Sequence, residues 1–514
     1  MNLLKILENL KYTTKNIENV RLRAKKLQEE SKNIDTNSIQ TDSRLIKKGD
    51  IFVAVDGKTN KGLDFIESSI ENGAIAVVVD KKYNYINNKV IVIEVENPIE
   101  FTASMLKNFY SNRFPEHLMS ITGTKGKTST VEFIRQILDQ LNYKSASIGT
   151  LGINYKDKPK EIKNDFLTTR ELVEFYEDLY FLKNKENIDY VAFETTSQGL
   201  DTGRVAGLFP EIIGFTNFSQ DHLNYHKTME EYFNCKMKLF REHCTKNTKI
   251  VLNADIPEYE TIKNICKEKG NIKNIITYGY NGDVKLISIK IATNYQEITF
   301  KFNERNYTFK TNLMGEFQVM NLLCAFSYVY SLNLVENPQI IVDTLKNIEA
   351  AEGRMNLAGI TKNGASIYVD FAHTANSLEC VLKTTREHLN KIGSGRSIIL
   401  FGLGGNKDTT KRPIMGKIAQ DLADIVIITN DNFRNEDPAK IRKEIITGCD
   451  RPNDPNLYNF DGSREEAIKF GISLLKKNDI LILAGKGHEK YAEENGKKIP
   501  FDEFKIVKKY LENI

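Results

Sequence analysis

The sequence predicts an α/β protein with three domains. Its 514 residues are too many for one hydrophobic core. Apolar runs of strand length alternate with helical patterns along most of the chain, which is typical of mostly parallel sheets covered by helices. Polar and glycine clusters follow the ends of several of these runs, where open α/β sheets bind their ligands. We therefore expect the three domains to present ligand-binding loops to a common cleft.

The composition argues against several classes of protein. The 72 basic and 68 acidic residues give a formal charge of +4 and are spread along the chain, which favours a solvated surface over a nucleic-acid-binding face. The six cysteines lie far apart without a C-x-x-C pair, so neither a zinc site nor a disulfide framework is expected. No apolar run approaches the length of a membrane span, and the N-terminus lacks a signal-peptide pattern. We expect a cytoplasmic monomer that binds no nucleic acid and does not insert into membranes.

The first domain is predicted to be a small α/β unit. Its apolar runs alternate with helical patterns, with strands over 50–55, 74–79 and 90–95 and helices over 63–72 and 98–110. The segment around Phe114 and Pro115 ends it. The predicted domains cover residues 1–114, 115–350 and 351–514.

A phosphate-binding loop is predicted at the start of the second domain, because residues 118–130 combine a buried strand, a glycine turn and a helix start. Gly123 and Gly126 allow a tight turn with inward-facing N–H groups, and Lys127 adds a mobile positive charge. Thr128 places a hydroxyl where a nucleotide-bound Mg²⁺ would lie. The helix that follows has apolar residues at helical spacing, at Val131, Ile134, Ile137, Leu138 and Leu141. A glycine turn that binds nothing is the weaker alternative.

The rest of the second domain supplies two candidate metal ligands. Further strands are predicted over 189–193, 211–216 and 249–252, with an antiparallel hairpin over 296–302 and 306–313. Glu194 follows the first of these strands, so its carboxylate is placed to bind Mg²⁺ beside Thr128, although a solvated strand end is equally consistent. His222 is ambiguous by itself, because single histidines are usually structural.

Lys236 breaks the pattern of its helix. A capping box at Thr228 to Glu231 opens that helix, and its apolar face consists of Met229, Tyr232, Phe233, Leu239 and Phe240. Lys236 falls on the same face. Its ammonium either reaches out to water or is desolvated, in which case a lowered pKa leaves a neutral, nucleophilic amine. Spacing alone favours the ammonium in water.

The third domain has the pattern of a Rossmann-like doubly wound parallel sheet. Buried strands separated by helical segments are predicted over 367–370, 397–401, 425–429 and 480–483. Polar clusters follow these strands as well, so this domain is expected to bind a ligand at the same edge.

Several of these motifs resemble the Mur ligase superfamily. The segment from Gly123 to Thr128, Gly-Thr-x-Gly-Lys-Thr, resembles its ATP loop. The segment from Asp221 to His226, with Lys236 fifteen residues after the aspartate, is similar to that of the MurE-type ligases, the UDP-N-acetylmuramoyl-tripeptide synthetases. The resemblance implies that CO₂ carbamylates this lysine and that the carbamate holds a second Mg²⁺ together with the histidine.

The resemblance covers essentially the whole chain and implies four groups of site residues. The uridine-nucleotide and peptide site would contain Thr41, Ser43, Lys58, Thr59, Asn60, Thr168, Thr169, Thr196, Thr202 and Arg204. The ATP site would contain Gly123, Thr124, Lys125, Gly126, Lys127, Thr128, Ser129, Asn321, Arg354, Asp370 and His373. The amino-acid site would contain Arg412, Asp431, Asn432, Phe433, Arg434, Gly485 and Glu489. The catalytic residues would be Lys127, Glu194, His222 and Lys236, with Mg²⁺ held by Thr128, Glu194, His222 and carbamylated Lys236.

Some positions depart from the family pattern. Gln198 stands where members usually have histidine, and Arg170 follows Thr169 where they have a small residue or proline. Phe433 replaces the proline of the Asp-Asn-Pro-Arg signature of diaminopimelate-adding members, but Arg434 is kept. A guanidinium matches a carboxylate in a bidentate fork. The acceptor is therefore expected to be meso-diaminopimelate or lanthionine in preference to L-lysine.

The implied function is an ATP-dependent amide ligase of peptidoglycan precursor synthesis. It would add a diamino acid to UDP-N-acetylmuramoyl-L-alanyl-D-glutamate through an acyl phosphate. One alternative is a Mur-like ligase of the polyglutamate or folylpolyglutamate type, against which the Asp42-Ser43-Arg44 motif speaks. A second alternative is a non-catalytic nucleotide-binding homologue, against which the intact catalytic set speaks.

Overall fold

The chain folds into two compact units. The computed structural model describes residues 1–15, 35–57, 60–87, 89–155, 158–160, 167–292, 295–487 and 489–512. The first unit contains Met1–Lys127, Asn142–Leu252 and Ile256–Ile275. The second unit contains Thr128–Leu141, Asn253–Asp255 and Ile276–Ile514.

The N-terminal part of the first unit has a five-stranded sheet. Its strands are β1 (Thr13–Lys15), β2 (Ile39–Gln40), β3 (Ile51–Val53), β4 (Ala76–Asp80) and β5 (Ile91–Val95), and their order is β1-β5-β4-β3-β2. The strands β2 to β5 are parallel, and β1 pairs antiparallel with β5. The α-helices are α1 (Leu3–Ile6), α2 (Ile66–Glu71) and α3 (Pro98–Phe109). The predicted small α/β domain is confirmed.

The central sheet of the first unit is mostly parallel. Its strands are β6 (His117–Thr122), β7 (Ser145–Gly149), β8 (Gly152–Tyr155), β9 (Lys158–Lys160), β10 (Tyr190–Glu194), β11 (Ile212–Phe215) and β12 (Lys249–Asn253), in the order β12-β11-β6-β10-β7-β8-β9. The strands β7, β10, β6, β11 and β12 are parallel, and β8 and β9 add an antiparallel edge. The carboxyl ends of β6, β10 and β11 therefore lie side by side. Helix α4 (Lys127–Gln140) follows β6 in the chain, and its residues after Lys127 belong to the second unit. The helices of the first unit are α5 (Leu172–Asn184), α6 (Ser197–Asp201), α7 (Leu223–His226), α8 (Met229–Glu242) and α9 (Tyr259–Glu268).

The two sheets of the first unit share a continuous hydrophobic core. Buried side chains of β3, β4, β5 and α3 belong to the same cluster as those of β7, β10, β11 and α5. Tyr110, next to α3, stacks on Tyr180 of α5 with ring centroids 4.6 Å apart. Burial of apolar surface therefore fixes the N-terminal sheet against the central sheet.

The second unit contains four consecutive strands, of which the first two pair parallel and the last three pair antiparallel. They are β13 (Ile275–Gly279), β14 (Val284–Ile291), β15 (Gln296–Phe302) and β16 (Arg305–Thr311), followed by α10 (Glu316–Ser331) and α11 (Pro338–Leu345). Gln296 pairs with Thr311 and Phe302 with Arg305 across the β15–β16 hairpin. The side chains of β15 alternate between buried and partly buried, so the period-two pattern that predicts this hairpin is confirmed.

A six-stranded sheet forms the C-terminal part of the second unit. Its strands are β17 (Asn356–Ile360), β18 (Ser366–Asp370), β19 (Ser397–Phe401), β20 (Ile425–Ile428), β21 (Leu457–Asn459) and β22 (Ile480–Ala484), in the order β17-β18-β22-β19-β20-β21. The helices are α12 (Ala375–Ile392), α13 (Lys411–Leu422), α14 (Pro438–Ile446), α15 (Arg464–Ser473) and α16 (Glu503–Leu511). A small hairpin of β23 (Tyr491–Glu494) and β24 (Lys497–Pro500) precedes α16.

This C-terminal sheet has a hydrophobic core on each face. One core packs α12, α13 and α14 against the sheet, and the other packs α15 and α16. The strands β18, β22, β19, β20 and β21 are parallel to one another, and β17 pairs antiparallel with β18. The predicted doubly wound sheet is confirmed, whereas the residue bounds of the three predicted domains remain predictions. Within the residues described, no helix is long and apolar enough to cross a membrane.

Candidate nucleotide and substrate site

The predicted phosphate-binding loop joins β6 directly to α4. Gly123 has φ +140°, and a Cβ there would collide with Thr216 Oγ1, so the position requires glycine. Gly126 has φ +85°, again the left-handed region. Lys127 Nζ donates hydrogen bonds to the carbonyl oxygens of Gly123 at 3.0 Å and Thr124 at 2.9 Å, so its side chain folds back over the loop. The strand, turn and helix order expected of a phosphate cradle is present.

The segment after β11 holds the backbone of this loop. Thr124 N–H donates to the carbonyl oxygen of Asn217 at 2.8 Å, and Lys125 N–H donates to Asn217 Oδ1 at 2.9 Å. Thr216 Oγ1 donates to the carbonyl oxygen of Lys125 at 2.7 Å. Ser129 is buried within the first turn of α4. The loop is therefore shaped before any ligand binds, which lowers the cost of ordering it around a phosphate.

Glu194 ends β10 beside the strand that leads into the loop. It lies in register with Ile121 of β6. Its carboxylate is buried, with Oε1 accepting the N–H of Thr150 at 2.7 Å. The interpretation of Glu194 as a solvated strand end is therefore wrong. A Cβ on Gly149 would collide with the Glu194 carboxylate, so a glycine makes room for it.

A group of threonines surrounds the end of β10. Thr168 Oγ1 lies 3.1 Å from Thr150 Oγ1, and Thr169 Oγ1 donates to the carbonyl oxygen of Glu194 at 3.1 Å. Thr169 and Thr196 are joined through their hydroxyls at 3.0 Å, and Arg204 Nη1 donates to the Thr169 carbonyl oxygen at 3.2 Å. The structure thus brings together four of the predicted peptide-site residues. Thr202 differs, because its hydroxyl donates to the carbonyl oxygen of Gln198 in its own helix at 2.8 Å.

Lys236 is buried beneath the phosphate-binding loop. Its side chain, on α8, is only 1% exposed, and Nζ donates a 2.8 Å hydrogen bond to the carbonyl oxygen of Gly123. Nζ also lies 4.6 Å from the ring centroid of Tyr232. Burial lowers the pKa of Lys236 well below its ordinary value, and the positive charge of Lys127 lowers it further. The interpretation with the ammonium in water is therefore wrong, and the desolvated amine is confirmed.

His222 lies near Tyr232, the same aromatic ring that Lys236 contacts. Its ring centroid is 5.9 Å from that of Tyr232, which also contacts Lys236. Burial lowers the pKa of His222, Asp221 opposes this, and the positive charge of Lys127 lowers the pKa further. The neutral imidazole, the form that binds a metal, is therefore favoured. His222 also has φ +53°, an uncommon backbone conformation for histidine.

The predicted nucleotide residues of the N-terminal sheet lie in the loops that follow β2 and β3. Ser43 begins a short 3₁₀ helix whose N-cap is Asp42, with Asp42 Oδ1 accepting the N–H of Arg44 at 2.9 Å. Thr41 precedes this turn and is partly buried, whereas Asn60 is exposed. Lys58 and Thr59 lie outside the described residues.

Besides Thr128 and Ser129, four predicted ATP residues lie in the second unit. Asp370 ends β18, and its two carboxylate oxygens accept the N–H groups of Met355 and Ala372, each at 2.8 Å. Burial raises the pKa of Asp370 to about 6, whereas the positive charge of Arg354 lowers it. His373 is exposed, with Nδ1 2.8 Å from the carbonyl oxygen of Phe371. Asn321, on α10, is buried and donates to Gln318 Oε1 at 3.0 Å.

The predicted amino-acid residues converge on the loop after β20. Asn432 Nδ2 donates to Glu489 Oε2 at 2.8 Å, and its Oδ1 accepts Lys486 Nζ at 2.7 Å. Lys486 Nζ is also 3.3 Å from Asp431 Oδ1. Gly485 has φ +114°, and a Cβ there would lie 2.8 Å from Asp431 Oδ2. Phe433, in the same loop, packs against the core on one face of the sheet.

Arg412, predicted for the amino-acid site, is buried and paired with two carboxylates. Its side chain is 1% exposed, and it forms ion pairs with Glu444 Oε2 at 2.6 Å and Glu436 Oε2 at 2.8 Å. Arg412 Nη2 also donates to the carbonyl oxygen of Gly404 at 3.3 Å. These bonds engage both terminal nitrogens of the guanidinium, so the geometry favours a role in holding the neighbouring loops. Direct contact of Arg412 with an amino acid stays a prediction.

Sequence reasoning missed a buried ion pair next to the loop after β20. Arg464 Nε donates to Glu503 Oε1 at 2.8 Å, and Arg464 Nη2 donates to the carbonyl oxygen of Ala484 at 2.8 Å. Burial raises the pKa of Glu503, and the charge of Arg464 opposes this. Arg464 Nη1 also lies 3.9 Å from Asp431 Oδ2. Arg464 and Glu503 each begin a helix within a polar stretch of sequence. This pattern is typical of a solvated surface, so no signal in the sequence identifies the pair.

No group of three or more histidine, cysteine, aspartate or glutamate side chains able to hold a metal is found in the part of the chain that the structure describes. Mg²⁺ commonly takes only one or two protein ligands and completes its shell with phosphate and water oxygens. The predicted pairs of ligands are compatible with that preference.

Three family models match the chain in succession. They are the Mur ligase family, catalytic domain, over residues 35–110, the Mur ligase middle domain over 121–329, and the Mur ligase, glutamate ligase domain over 353–487. A UDP-N-acetylmuramoyl-L-alanyl-D-glutamate--2,6-diaminopimelate ligase of Rickettsia typhi is 40% identical over 482 residues, covering 93% of this chain and 94% of the relative. The ligase of the same name from Aquifex aeolicus is 36% identical over 478 residues, covering 92% and 93%.

Solved structures agree with these matches. The structure of a UDP-N-acetylmuramoyl-L-alanyl-D-glutamate--2,6-diaminopimelate ligase has a TM-score of 0.68 and 28% identity, covering 93% of this chain and 95% of that one. Mycobacterium tuberculosis folylpolyglutamate synthase has a TM-score of 0.55 at 13% identity, covering 75% and 92%, which shows the fold alone. Sheets, loop and buried lysine together define an ATP-dependent ligase with three α/β domains. The chain belongs to the Mur ligase family.

Proposed function

We propose that this protein joins a diamino acid to the γ-carboxylate of D-glutamate in UDP-N-acetylmuramoyl-L-alanyl-D-glutamate, using ATP. The reaction belongs to peptidoglycan precursor synthesis in the cytoplasm, and the acceptor is meso-diaminopimelate or lanthionine in preference to L-lysine. The observation that carries the proposal is the buried amine of Lys236 on the carbonyl oxygen of Gly123. The names of the Rickettsia typhi and Aquifex aeolicus relatives support the substrates.

The first step is attack of the substrate carboxylate on the γ-phosphate of ATP, which gives an acyl phosphate and ADP. Two anions must approach each other, so the barrier depends on positive charge at the phosphates. Lys127 provides such a charge, since its ammonium lies over the loop carbonyls of Gly123 and Thr124. The amine of the diamino acid then displaces phosphate and forms the amide.

Mg²⁺ would neutralise phosphate charge and orient the reacting groups. Thr128 and Glu194 are the proposed ligands of one ion, and His222 with Lys236 those of a second. Glu194 fits this role because its carboxylate lies at the strand end next to the loop. His222 fits because burial favours its neutral form.

Lys236 fits carbamylation for two physical reasons. Burial and the charge of Lys127 lower its pKa and so favour the neutral amine, the form that can attack CO₂ and lose a proton to solvent. The charge of Lys127, which repels a Lys236 ammonium, would attract a carbamate anion. The same neighbour therefore favours both the unprotonated amine and its anionic product.

The remaining predicted residues are assigned to the substrates. Thr41, Ser43 and residues 58–60 would bind the uridine nucleotide, and the threonines around β10, with Thr202 and Arg204, would bind the muramoyl peptide. The predicted contacts to the rest of ATP are Asn321, Arg354, Asp370 and His373. The proposed acceptor site contains Arg412, Asp431, Asn432, Phe433, Arg434, Gly485 and Glu489. Action as a monomer stays a prediction.

The proposal is tested by phosphate release from ATP with the purified protein. Release should require the nucleotide dipeptide and a diamino acid together, and mass spectrometry should detect the nucleotide tripeptide. Meso-diaminopimelate, lanthionine, L-lysine and L-ornithine are compared side by side. Phosphate release that needs only an amino acid and a folate or polyglutamate substrate would contradict the proposal.

A further inference from the structure

The loop after β20 is fastened to the hairpin of β23 and β24 within the second unit. Arg434 N–H donates to the carbonyl oxygen of Glu493 at 3.1 Å, and Asn495 N–H donates to the carbonyl oxygen of Arg434 at 2.7 Å. Glu493 N–H donates to Asn432 Oδ1 at 2.9 Å. The backbones that carry the Arg434 guanidinium and the Glu493 carboxylate are therefore fixed relative to each other.

The two side chains also meet directly. Arg434 Nε lies 2.9 Å from Glu493 Oε2, and Arg434 Nη1 donates to the carbonyl oxygens of Gly405 at 2.9 Å and Asn432 at 3.4 Å. Both side chains are partly accessible, at 24% exposure for Arg434 and 27% for Glu493. Among the described residues, Arg434 Nη2 and Glu493 Oε1 have no hydrogen-bond partner. One donor and one acceptor thus remain open next to each other.

This open pair matches an amino-acid head group, which carries an ammonium and a carboxylate on the same carbon. We infer that Glu493 is a specificity-determining residue: its Oε1 accepts the distal ammonium of the acceptor while Arg434 Nη2 donates to the distal carboxylate. The inference rests on the proposed function and names the part of the acceptor that Glu493 recognises. An acceptor with a distal carboxylate alone would leave the charge of Glu493 without a ligand partner.

The neighbouring charges are compatible with this assignment. Asp431 is 3.3 Å from Lys486 Nζ, and Glu489 Oε2 accepts a hydrogen bond from Asn432. Lys486 and Arg434 offset part of the negative charge of the three carboxylates. A zwitterionic head group adds no net charge to this cluster, so both of its ions are matched without an uncompensated charge.

The test substitutes Glu493→Gln, which keeps the size of the side chain and removes its charge. Two acceptors are compared, meso-diaminopimelate and L-2-aminopimelate, which lacks only the distal ammonium. The KM for meso-diaminopimelate should rise about tenfold, the effect expected from one charge-assisted hydrogen bond at a partly exposed site. The KM for L-2-aminopimelate and both kcat values should stay unchanged.

Glu494→Gln is the matched control, because alternation along β23 turns this neighbouring carboxylate to the opposite face. It should leave the KM values for both acceptors unchanged. An equal rise of both KM values in Glu493→Gln, or no rise, would overturn the inference, since Glu493 would then only orient Arg434 or have no role. If the wild type ligates no diamino acid, the proposed function fails. The inference can still be tested in that case, by isothermal titration calorimetry of the two acceptors with the wild type and the two variants.

Discussion

Lys236 Nζ and the carbonyl oxygen of Gly123 are joined by a hydrogen bond of 2.8 Å between residues 113 positions apart in the chain. This bond connects the buried side of α8 to the first residue of the phosphate-binding loop. Because the amine is also close enough to Lys127 for that charge to lower its pKa, the loop and the amine are electrostatically coupled.

Lys127→Ala should nearly abolish turnover. Loss of one such contact to a reacting phosphate commonly raises the barrier by about 3–4 kcal/mol, so kcat should fall about a thousandfold. Steady-state phosphate release measures it. Lys246→Ala is the control, because Lys246 is exposed and is not among the predicted site residues. Its kcat should stay normal. Near-normal turnover of Lys127→Ala would contradict its assignment to the phosphates.

Lys236→Ala should lose activity to a similar extent and recover part of it with added acetate or another short carboxylate. A small carboxylate can enter the space left by the side chain and replace the oxygen atoms of a carbamate. Lys238→Ala is the matched control on the same helix, because the Lys238 ammonium forms an ion pair with Asp201 and not with the phosphate-binding loop. The distance from Lys238 Nζ to Asp201 Oδ1 is 3.1 Å. If carboxylates restore nothing, the carbamate assignment is wrong.

Arg434→Lys should weaken binding of the acceptor more than it slows chemistry. The substitution keeps the positive charge but loses the planar fork that bonds Gly405, Glu493 and a ligand at once. The KM for meso-diaminopimelate should rise at least about tenfold, whereas the KM for ATP stays constant. Arg451→Lys, at an exposed arginine, should change neither value. A change confined to the KM for ATP would contradict the assignment of Arg434 to the acceptor site.

Asp370 should make the stability of the protein depend on pH. Its pKa is raised from 3.8 to about 6 in the folded state, so the folded protein holds the proton more tightly than the unfolded chain. The contribution of Asp370 to the free energy of unfolding is therefore largest below pH 4 and is lost as the pH rises through 6. Relative to Asp370→Asn, the free energy of unfolding of the wild type should fall by about 2 kcal/mol between pH 4 and 7. Urea denaturation measures this difference, and a constant difference would contradict the raised pKa.

Much of the fold follows from local pattern in the sequence. The buried runs that become β10, β19 and β22 are continuous and apolar, and the β15–β16 hairpin has a clear period of two. Edge strands such as β17 and β21 are different, because none of their residues is fully buried and they are specified by pairing with distant strands. Local sequence therefore does not predict them.

The site shows the same division between local and distant causes. The phosphate-binding loop can be predicted because its glycines and lysine lie within a few residues of one another. The state of Lys236 cannot be decided from its helix, since a loop more than a hundred residues away buries it. The ion pairs of Arg412 and Arg464 cannot be predicted locally for the same reason, because their carboxylate partners lie 24, 32 and 39 residues away.

The most direct measurement of the central claim is ¹³C NMR of the wild-type protein in ¹³C-labelled bicarbonate. A buried neutral amine at Lys236 should react with the dissolved CO₂ and give a carbamate resonance that is absent from Lys236→Ala and present in Lys238→Ala. The resonance should disappear when CO₂ is removed and return when bicarbonate is added. A wild-type spectrum without this signal, or a signal that persists in Lys236→Ala, would contradict the role assigned to the buried lysine.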